Sequence, residues 1–306
     1  MPLFWYTESI RLRALFGAAI GGNMKDLSDR FVMNDGNSIP CVGYGTFKIA
    51  DDDAAYGCVR EALGLGYRHV DTAFIYGNEK GVGKAIRDSK VPREEIFVTS
   101  KLWGTDRGYK SALAGFEKSL SNLGLDYIDL FLIHWPANAK NFSDWQKINC
   151  DTWKAFEEIK ASGKVKSIGL SNFLPHHILS ILENCTVRPA VDQIEMHPGY
   201  PQFDVVAFCK ENDILVEAYR PLGRGEVLEN DEIVAMAHKY GKTPAQLAVR
   251  WALQHGAVPL PKSVRGDRMA ENADVFDFEI SLSDMYFIDY MRPFGGRGQH
   301  PDEADF

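Results

Sequence analysis

The chain has 306 residues, 45% hydrophobic and 25% charged, the composition of an ordinary globular protein long enough to enclose a large core. Its formal net charge of -8 and pI near 5.5 exclude the broad basic surface that nucleic acid or an anionic membrane requires, so any anion site must be local. Cys41, Cys58, Cys150, Cys185 and Cys209 stand singly, five in all with no C-x-x-C pair, which fits free thiols in a reducing cytosol and argues against a structural metal site.

At the start, the mildly apolar stretch 12–22 is too short to span a bilayer. With Met24 available as a start, residues 1–23 read as a disordered extension or a mis-assigned start, and 24–306 as one domain. Phe31-Val32-Met33, then Asn34-Asp35-Gly36-Asn37, then Ser38-Ile39-Pro40 predict a hairpin, with Asp-Gly supplying the positive φ of a tight turn. From there, short β-branched runs at 42–47, 69–73, 96–103, 128–135, 165–172, 190–196, 214–219 and 257–261 alternate with segments of helical period, among them 52–65, 109–123, 145–161 and 244–255. Asp51-Asp52-Asp53 caps the first of these helices, and Thr243-Pro244 opens the last.

Eight strand–helix alternations with no linker rich in Pro, Gly or Ser predict a (β/α)8 TIM barrel, with the N-terminal hairpin closing its bottom. An open dinucleotide-binding sheet would carry G-x-G-x-x-G after its first strand. Gly43-Tyr44-Gly45, Gly64-Leu65-Gly66 and Gly81-Val82-Gly83 each begin that pattern, but Lys48, His69 and Ile86 stand where the third glycine belongs.

Active sites of barrels lie at the C-terminal ends of the strands, and three successive predicted strands end on ionisable residues: Asp71, Lys101 and His134, with Tyr76 in the loop after Asp71. A lysine inside an apolar strand is costly unless paired, so Asp71 and Lys101 are expected to face each other. Tyrosine is a poor acid at neutral pH; a nearby Lys101 ammonium is expected to lower the pKa of Tyr76, with His134 as a second hydrogen-bond donor to a substrate oxygen. The residues alone leave two other chemistries open. Tyr76 and Lys80 fit Y-x-x-x-K of short-chain dehydrogenases, and a strand-end lysine such as Lys101 is how a Schiff-base aldolase is built.

Asp71-Thr72-Ala73-Phe74-Ile75-Tyr76-Gly77-Asn78-Glu79 resembles the aldo-keto reductase signature. Lys101 in Thr-Ser-Lys-Leu-Trp, His134 in Ile-His-Trp-Pro, Gly169-Leu170-Ser171-Asn172-Phe173, Gln193-Ile194-Glu195-Met196-His197-Pro198 and Pro261-Lys262-Ser263 follow in that family's order, from about Arg30 onward, most like bacterial diketogluconate and methylglyoxal reductases. The resemblance implies NADPH-dependent reduction of a small soluble carbonyl compound by a cytoplasmic enzyme. It assigns the general acid to Tyr76, with Asp71, Lys101 and His134 completing a tetrad. Ser171, Asn172 and Gln193 match positions that hold the nicotinamide carboxamide, Tyr219 the aromatic that stacks on the ring, and Thr46, Leu222 and Gly223 further cofactor contacts. Lys262, Ser263 and Arg268 match the 2'-phosphate site, and Glu271 and Asn272 adenine contacts. The cation cluster Lys262, Arg265 and Arg268 in an acidic chain independently favours NADPH over NADH. The fold also occurs as a cofactor-binding regulatory subunit of ion channels, an alternative with little turnover.

Two positions depart from the family pattern. Arg220 replaces a small serine that contacts the cofactor phosphates, and Asp192 replaces asparagine, placing a negative charge near the expected nicotinamide pocket. Phe47, Trp103 and Trp135 are the expected aromatic walls of a substrate site. The tail 292–306 reads as short and mobile, leaving an open pocket, while Arg224, Arg292 and Arg297 read as solvated surface. A closed barrel has no strand edge that demands a partner, so a monomer is expected.

Overall fold

The turn Asn34-Asp35-Gly36-Asn37 forms as its residues dictate: Gly36 takes φ 83°, and the Asp35 carboxylate accepts from the backbone and side-chain nitrogens of Asn37. It joins β1 (Arg30–Val32) to β2 (Ser38–Pro40) in an antiparallel hairpin. The computed structural model describes residues 24–295 and 298–306, so the expectations for residues 1–23 and for Arg297 lie outside the described residues.

Beyond the hairpin, eight strands run parallel in chain order: β3 (Tyr44–Gly45), β4 (His69–Asp71), β5 (Phe97–Leu102), β6 (Ile128–Ile133), β7 (Val165–Ser171), β8 (Val191–Glu195), β9 (Leu215–Tyr219) and β10 (Val258–Leu260). The ring is drawn together where Gly43 N donates to Pro259 O at 3.0 Å and Gly45 N to Pro261 O at 3.1 Å. The strands are buried almost throughout, which is why they read as continuous apolar runs rather than alternating ones. The hairpin plugs one end. Asn34 Nδ2 donates to the carbonyls of Pro189 and Asp213, and Asn37 Nδ2 to that of Lys166, all at or near the N-terminal ends of β7, β8 and β9. This is the predicted barrel with its predicted cap.

Helices α1 (Asp52–Gly64), α2 (Glu79–Arg87), α3 (Tyr109–Leu123), α4 (Trp145–Ala161), α5 (Pro175–Leu182), α6 (Phe203–Glu211), α7 (Glu226–Glu229), α8 (Asp231–Lys239), α9 (Pro244–Gln254), α10 (Gly266–Ala273) and α11 (Leu282–Asp289) are the α-helices of the described residues, which also hold four short 3-10 turns. Asp51 caps α1 through Ala54 N, and Thr243 and Gln246 cap α9 reciprocally. Gly81 and Gly83 of α2 serve close packing rather than a phosphate loop: a Cβ would strike the backbone of Asp52 in α1 and of Leu123 in α3. Several predicted strands overrun the observed ones, most clearly 42–47 against Tyr44–Gly45, because the chain leaves the ladder at the rim to build loops.

The alternation of β8 corrects one expectation. Gln193 points into the barrel, whereas Asp192, its neighbour, points outward, where its carboxylate meets Phe173 N at 3.5 Å and Cys209 Sγ of α6 at 3.9 Å. Its charge therefore does not sit in the pocket, and burial pushes its pKa up to about 8. A raised folded-state pKa gives stability that is present below the unfolded value of 3.8 and is lost as pH climbs through about 8. Asp192→Asn is expected to raise the unfolding midpoint by several degrees, on the order of a few kcal/mol, at pH 8 to 9 and much less at pH 5. Thermal melts of both proteins across that range check it.

Candidate active site

Asp71 closes β4, Lys101 lies near the end of β5, and His134 follows β6, so three neighbouring strands deliver them to one rim. A 3-10 turn, Phe74–Tyr76, ended by Gly77 at φ 68°, folds Tyr76 back over them. Lys101 is fully buried, and its ammonium donates to both Asp71 oxygens, at 2.7 and 2.6 Å, and to the Thr72 carbonyl at 2.9 Å. The Tyr76 hydroxyl stands 3.5 Å from the same nitrogen, and the Tyr76 and His134 rings meet edge to face, centroids 5.7 Å apart. Lys80, the other lysine that pairs with Tyr76 by spacing, is exposed.

Electrostatics revises the expectation for Tyr76. Burial first, then the Asp71 carboxylate, hold its pKa well above 10, and Arg220 opposes them. The Lys101 ammonium, 3.5 Å from the hydroxyl, does not outweigh them, because both oxygens of Asp71 already meet that charge. Burial and the Lys101 cation push His134 well below the ordinary histidine range, so its ring is neutral.

The four residues stand at one side of a cleft of about 980 Å³. Asp71, Tyr76, His134, Phe47, Trp103, Trp135, Ser171, Asn172, Gln193, Tyr219, Leu222, Lys262, Ser263, Arg268, Glu271 and Asn272 all line it, so the structure brings together nearly every residue singled out in the sequence. Thr46, Lys101 and Gly223 are absent from its walls. Thr46 is instead a brace, its hydroxyl donating to Asp71 O and its carbonyl accepting from Asn78. Ser171, Asn172 and Tyr219 form a chain of their own: Tyr219 donates to Asn172 Oδ1 at 2.7 Å, Asn172 Nδ2 to Ser171 Oγ and His134 O, and Ser171 to Gln193 O. Gln193 Nε2 donates to Asp71 Oδ2 and to Glu217 Oε2, each at 2.9 Å. At the far end Arg265 is committed to Asp267, while Lys262 and Arg268 make no salt bridge among the described residues.

Leu260 and Phe306 of the wall are not singled out by the sequence, whereas Arg220 is. Arg220, at φ 52°, pairs with Glu195 at 3.2 Å and lies within 6 Å of the Phe47 and Tyr219 rings. The tail corrects the expectation of an open pocket. Residues 298–306 are docked: Asn138 Nδ2 donates to the carbonyls of Pro301 and Ala304, Arg107 to that of Phe306, and Glu195 accepts from Gly298 N. Phe306 thereby stacks on Trp103, centroids 4.8 Å apart, and abuts Trp135. No pattern in the sequence marks this docking. Arg224 lines the cleft as well, and Arg292 does not.

Removing one partner of the buried ion pair should be far worse than removing both. Lys101→Met and Asp71→Asn are each expected to cost about 3 to 5 kcal/mol, the double substitution much less than their sum. Denaturant unfolding of the three variants measures the coupling.

The Aldo/keto reductase family model matches residues 41–292. Glyoxal reductase of Bacillus subtilis (strain 168) is 44% identical over 280 residues, covering 92% of this chain and 99% of that one. Aldehyde reductase YPR1 of Saccharomyces cerevisiae is 43% identical over 279 residues, covering 83% and 88%. The crystal structure of a Gox0644 variant in complex with NADPH superposes with a TM-score of 0.83 at 41% identity, covering 91% of this chain and 99% of that one. The chain belongs to the aldo/keto reductase family.

Proposed function

We propose that the protein reduces small aldehydes and ketones to alcohols with NADPH, and that Tyr76 is the general acid. The observation that carries this reading is the Tyr76 hydroxyl held 3.5 Å from a fully buried ammonium, with a neutral imidazole beside it, at the wall of a cleft whose other end is cationic. The glyoxal and aldehyde reductase relatives and the NADPH-bound neighbour support it.

The donor set fits a nicotinamide dinucleotide. Tyr219 offers a ring face, and Ser171, Asn172 and Gln193 offer amide-directed polar groups. Leu222 would pack over the diphosphate, Lys262, Ser263 and Arg268 would suit a 2'-phosphate, and Glu271 and Asn272 would contact adenine; all of them line the cleft. When bound, NADPH supplies the hydride that reduces the carbonyl carbon. Tyr76 keeps its proton in the resting site because burial and Asp71 disfavour the phenolate. As negative charge grows on the substrate oxygen, that proton moves to it, and the phenolate left behind faces the Lys101 ammonium. His134, neutral, donates a second hydrogen bond to the same oxygen. Phe47, Trp103 and Trp135, closed off by Phe306, form walls that suit a small carbonyl substrate.

The aldolase alternative meets a specific obstacle: the buried Lys101 ammonium donates to both Asp71 oxygens, the Thr72 carbonyl and the Tyr76 hydroxyl, whereas a Schiff base needs a free amine. The same reading has the protein act as a cytoplasmic monomer; the nearly closed ring of strands supports the monomer by leaving little edge to pair. No helix among the described residues is long and apolar enough to cross a membrane.

Tyr76→Phe is expected to lower kcat with methylglyoxal at least about 100-fold while the Kd for NADPH changes less than about 2-fold. Absorbance at 340 nm reads the first and tryptophan quenching the second; full retained activity refutes the assignment of the acid. Arg268→Ala is expected to raise the KM for NADPH about 10-fold and leave that for NADH unchanged. Equal losses for both cofactors would remove Arg268 from the 2'-phosphate site.

A further inference from the structure

Below Asp71, away from the cleft, the barrel interior holds a second carboxylate that carbonyl reduction as set out above does not use. Glu217 of β9 is fully buried. Its Oε2 accepts from Gln193 Nε2 at 2.9 Å, and its Oε1 has no hydrogen-bond partner. His69 of β4 lies 3.5 Å from that oxygen, and its own Nε2 is 3.0 Å from Thr99 Oγ1. Gln193 stands between two acids, giving one amide hydrogen to Asp71 and the other to Glu217. With both hydrogens of Nε2 taken inward, the amide oxygen is what Gln193 has left for the cleft it lines. An amide that met only one acid would be free to turn about its last bond.

We infer that Glu217 is a positioning residue for carbonyl reduction: by sharing the Gln193 amide with Asp71 it fixes the Gln193 carbonyl as an acceptor toward the nicotinamide carboxamide and steadies Asp71 beneath Lys101. The inference rests on the NADPH-dependent reading of the cleft. It also carries a pH consequence. Burial first, then Asp71, raise Glu217 to about 8, against the pull of Gln193 and Lys101. The titratable groups facing it are His69 and Asp71 of β4 and Lys101 of β5; β8 contributes Gln193, and β10 places Val258 opposite. His69 is neutral through this range, pushed down to about 3 by burial. Glu217 ionises as pH rises through about 8, adding a second negative charge beside Asp71, which opposes charge build-up on the substrate oxygen.

The test compares Glu217→Leu, Glu217→Gln and, as a control, Asp192→Asn, an acid of similar pKa that faces outward. For Glu217→Leu the expected result is a roughly 10-fold lower kcat with methylglyoxal at an aldehyde KM within about 2-fold, and a Kd for NADPH raised about 5-fold, the worth of one hydrogen bond. Glu217→Gln should restore most of kcat near pH 7 and abolish the fall in kcat above pH 8 that wild type and Asp192→Asn share. A folded Glu217→Leu with unchanged kcat, Kd and pH profile overturns the inference. Should Glu217→Leu not fold, a Glu217→Gln profile that still falls above pH 8 overturns it. Should wild type reduce no carbonyl compound, the proposed reaction fails by itself, and the Kd for NADPH of Glu217→Gln decides: insensitive to pH from 6 to 9 where the wild-type Kd rises supports the positioning role, and parallel profiles overturn it.

Discussion

The contact on which the site depends is the ion pair between Lys101 and Asp71. An ammonium with no exposure is tolerable only if every N–H is met, and here two go to the carboxylate and one to the Thr72 carbonyl. Those three bonds tie the end of β5 to the end of β4 and to the first residue after it. The 3-10 turn bearing Tyr76 begins two residues later, so the lysine that faces the phenol also fixes the chain that presents it. A looser pair would misplace the hydroxyl before it changed any charge.

From that pair, polar groups continue into the barrel rather than stopping at the rim. Asp71 passes to Gln193, Gln193 to Glu217, and Glu217 lies against His69. Barrel interiors are usually filled by branched apolar side chains. This one spends part of its core on acids and amides with unmet atoms, Glu217 Oε1 and His69 Nδ1 among them. Such groups cost stability unless they do something that an apolar core cannot, and orienting a polar edge toward a ligand is one such thing.

The sequence revealed the barrel because periodicity and capping are local: α3 and α4 span the predicted residues, and Asp51 and Thr243 cap where expected. The site was legible because strand ends converge by topology, which puts Asp71, Lys101 and His134 together without any knowledge of loops. Three things were not legible. Asp192 and Gln193 are adjacent, and only the phase of β8 decides which one faces inward. The tail is held by side chains on backbone carbonyls, from Asn138 and Arg107, and such bonds leave no pattern of residue types. The direction of the Tyr76 shift depended first on how deeply the ring is buried and then on the Asp71 charge, which the fold answers and spacing does not.

That direction bears on how such an acid works. A tyrosine whose pKa had been lowered toward neutrality would be partly ionised at rest, and a phenolate in the cleft would repel a carbonyl oxygen on its way to an alkoxide. In the proposed reaction Tyr76 instead stays protonated, held so by burial and Asp71, until the substrate oxygen becomes the stronger base. In that reaction Lys101 would stabilise the phenolate formed, an effect too small to overcome the burial and the Asp71 charge that keep the resting phenol protonated. Phe306, docked on Trp103 and Trp135, adds apolar surface on the His134 side of Tyr76, and apolar surface weakens the screening of nearby charge. Docking of the tail is thus an electrostatic matter as well as a steric one, because it places low-dielectric surface beside the wall that carries His134 and Tyr76.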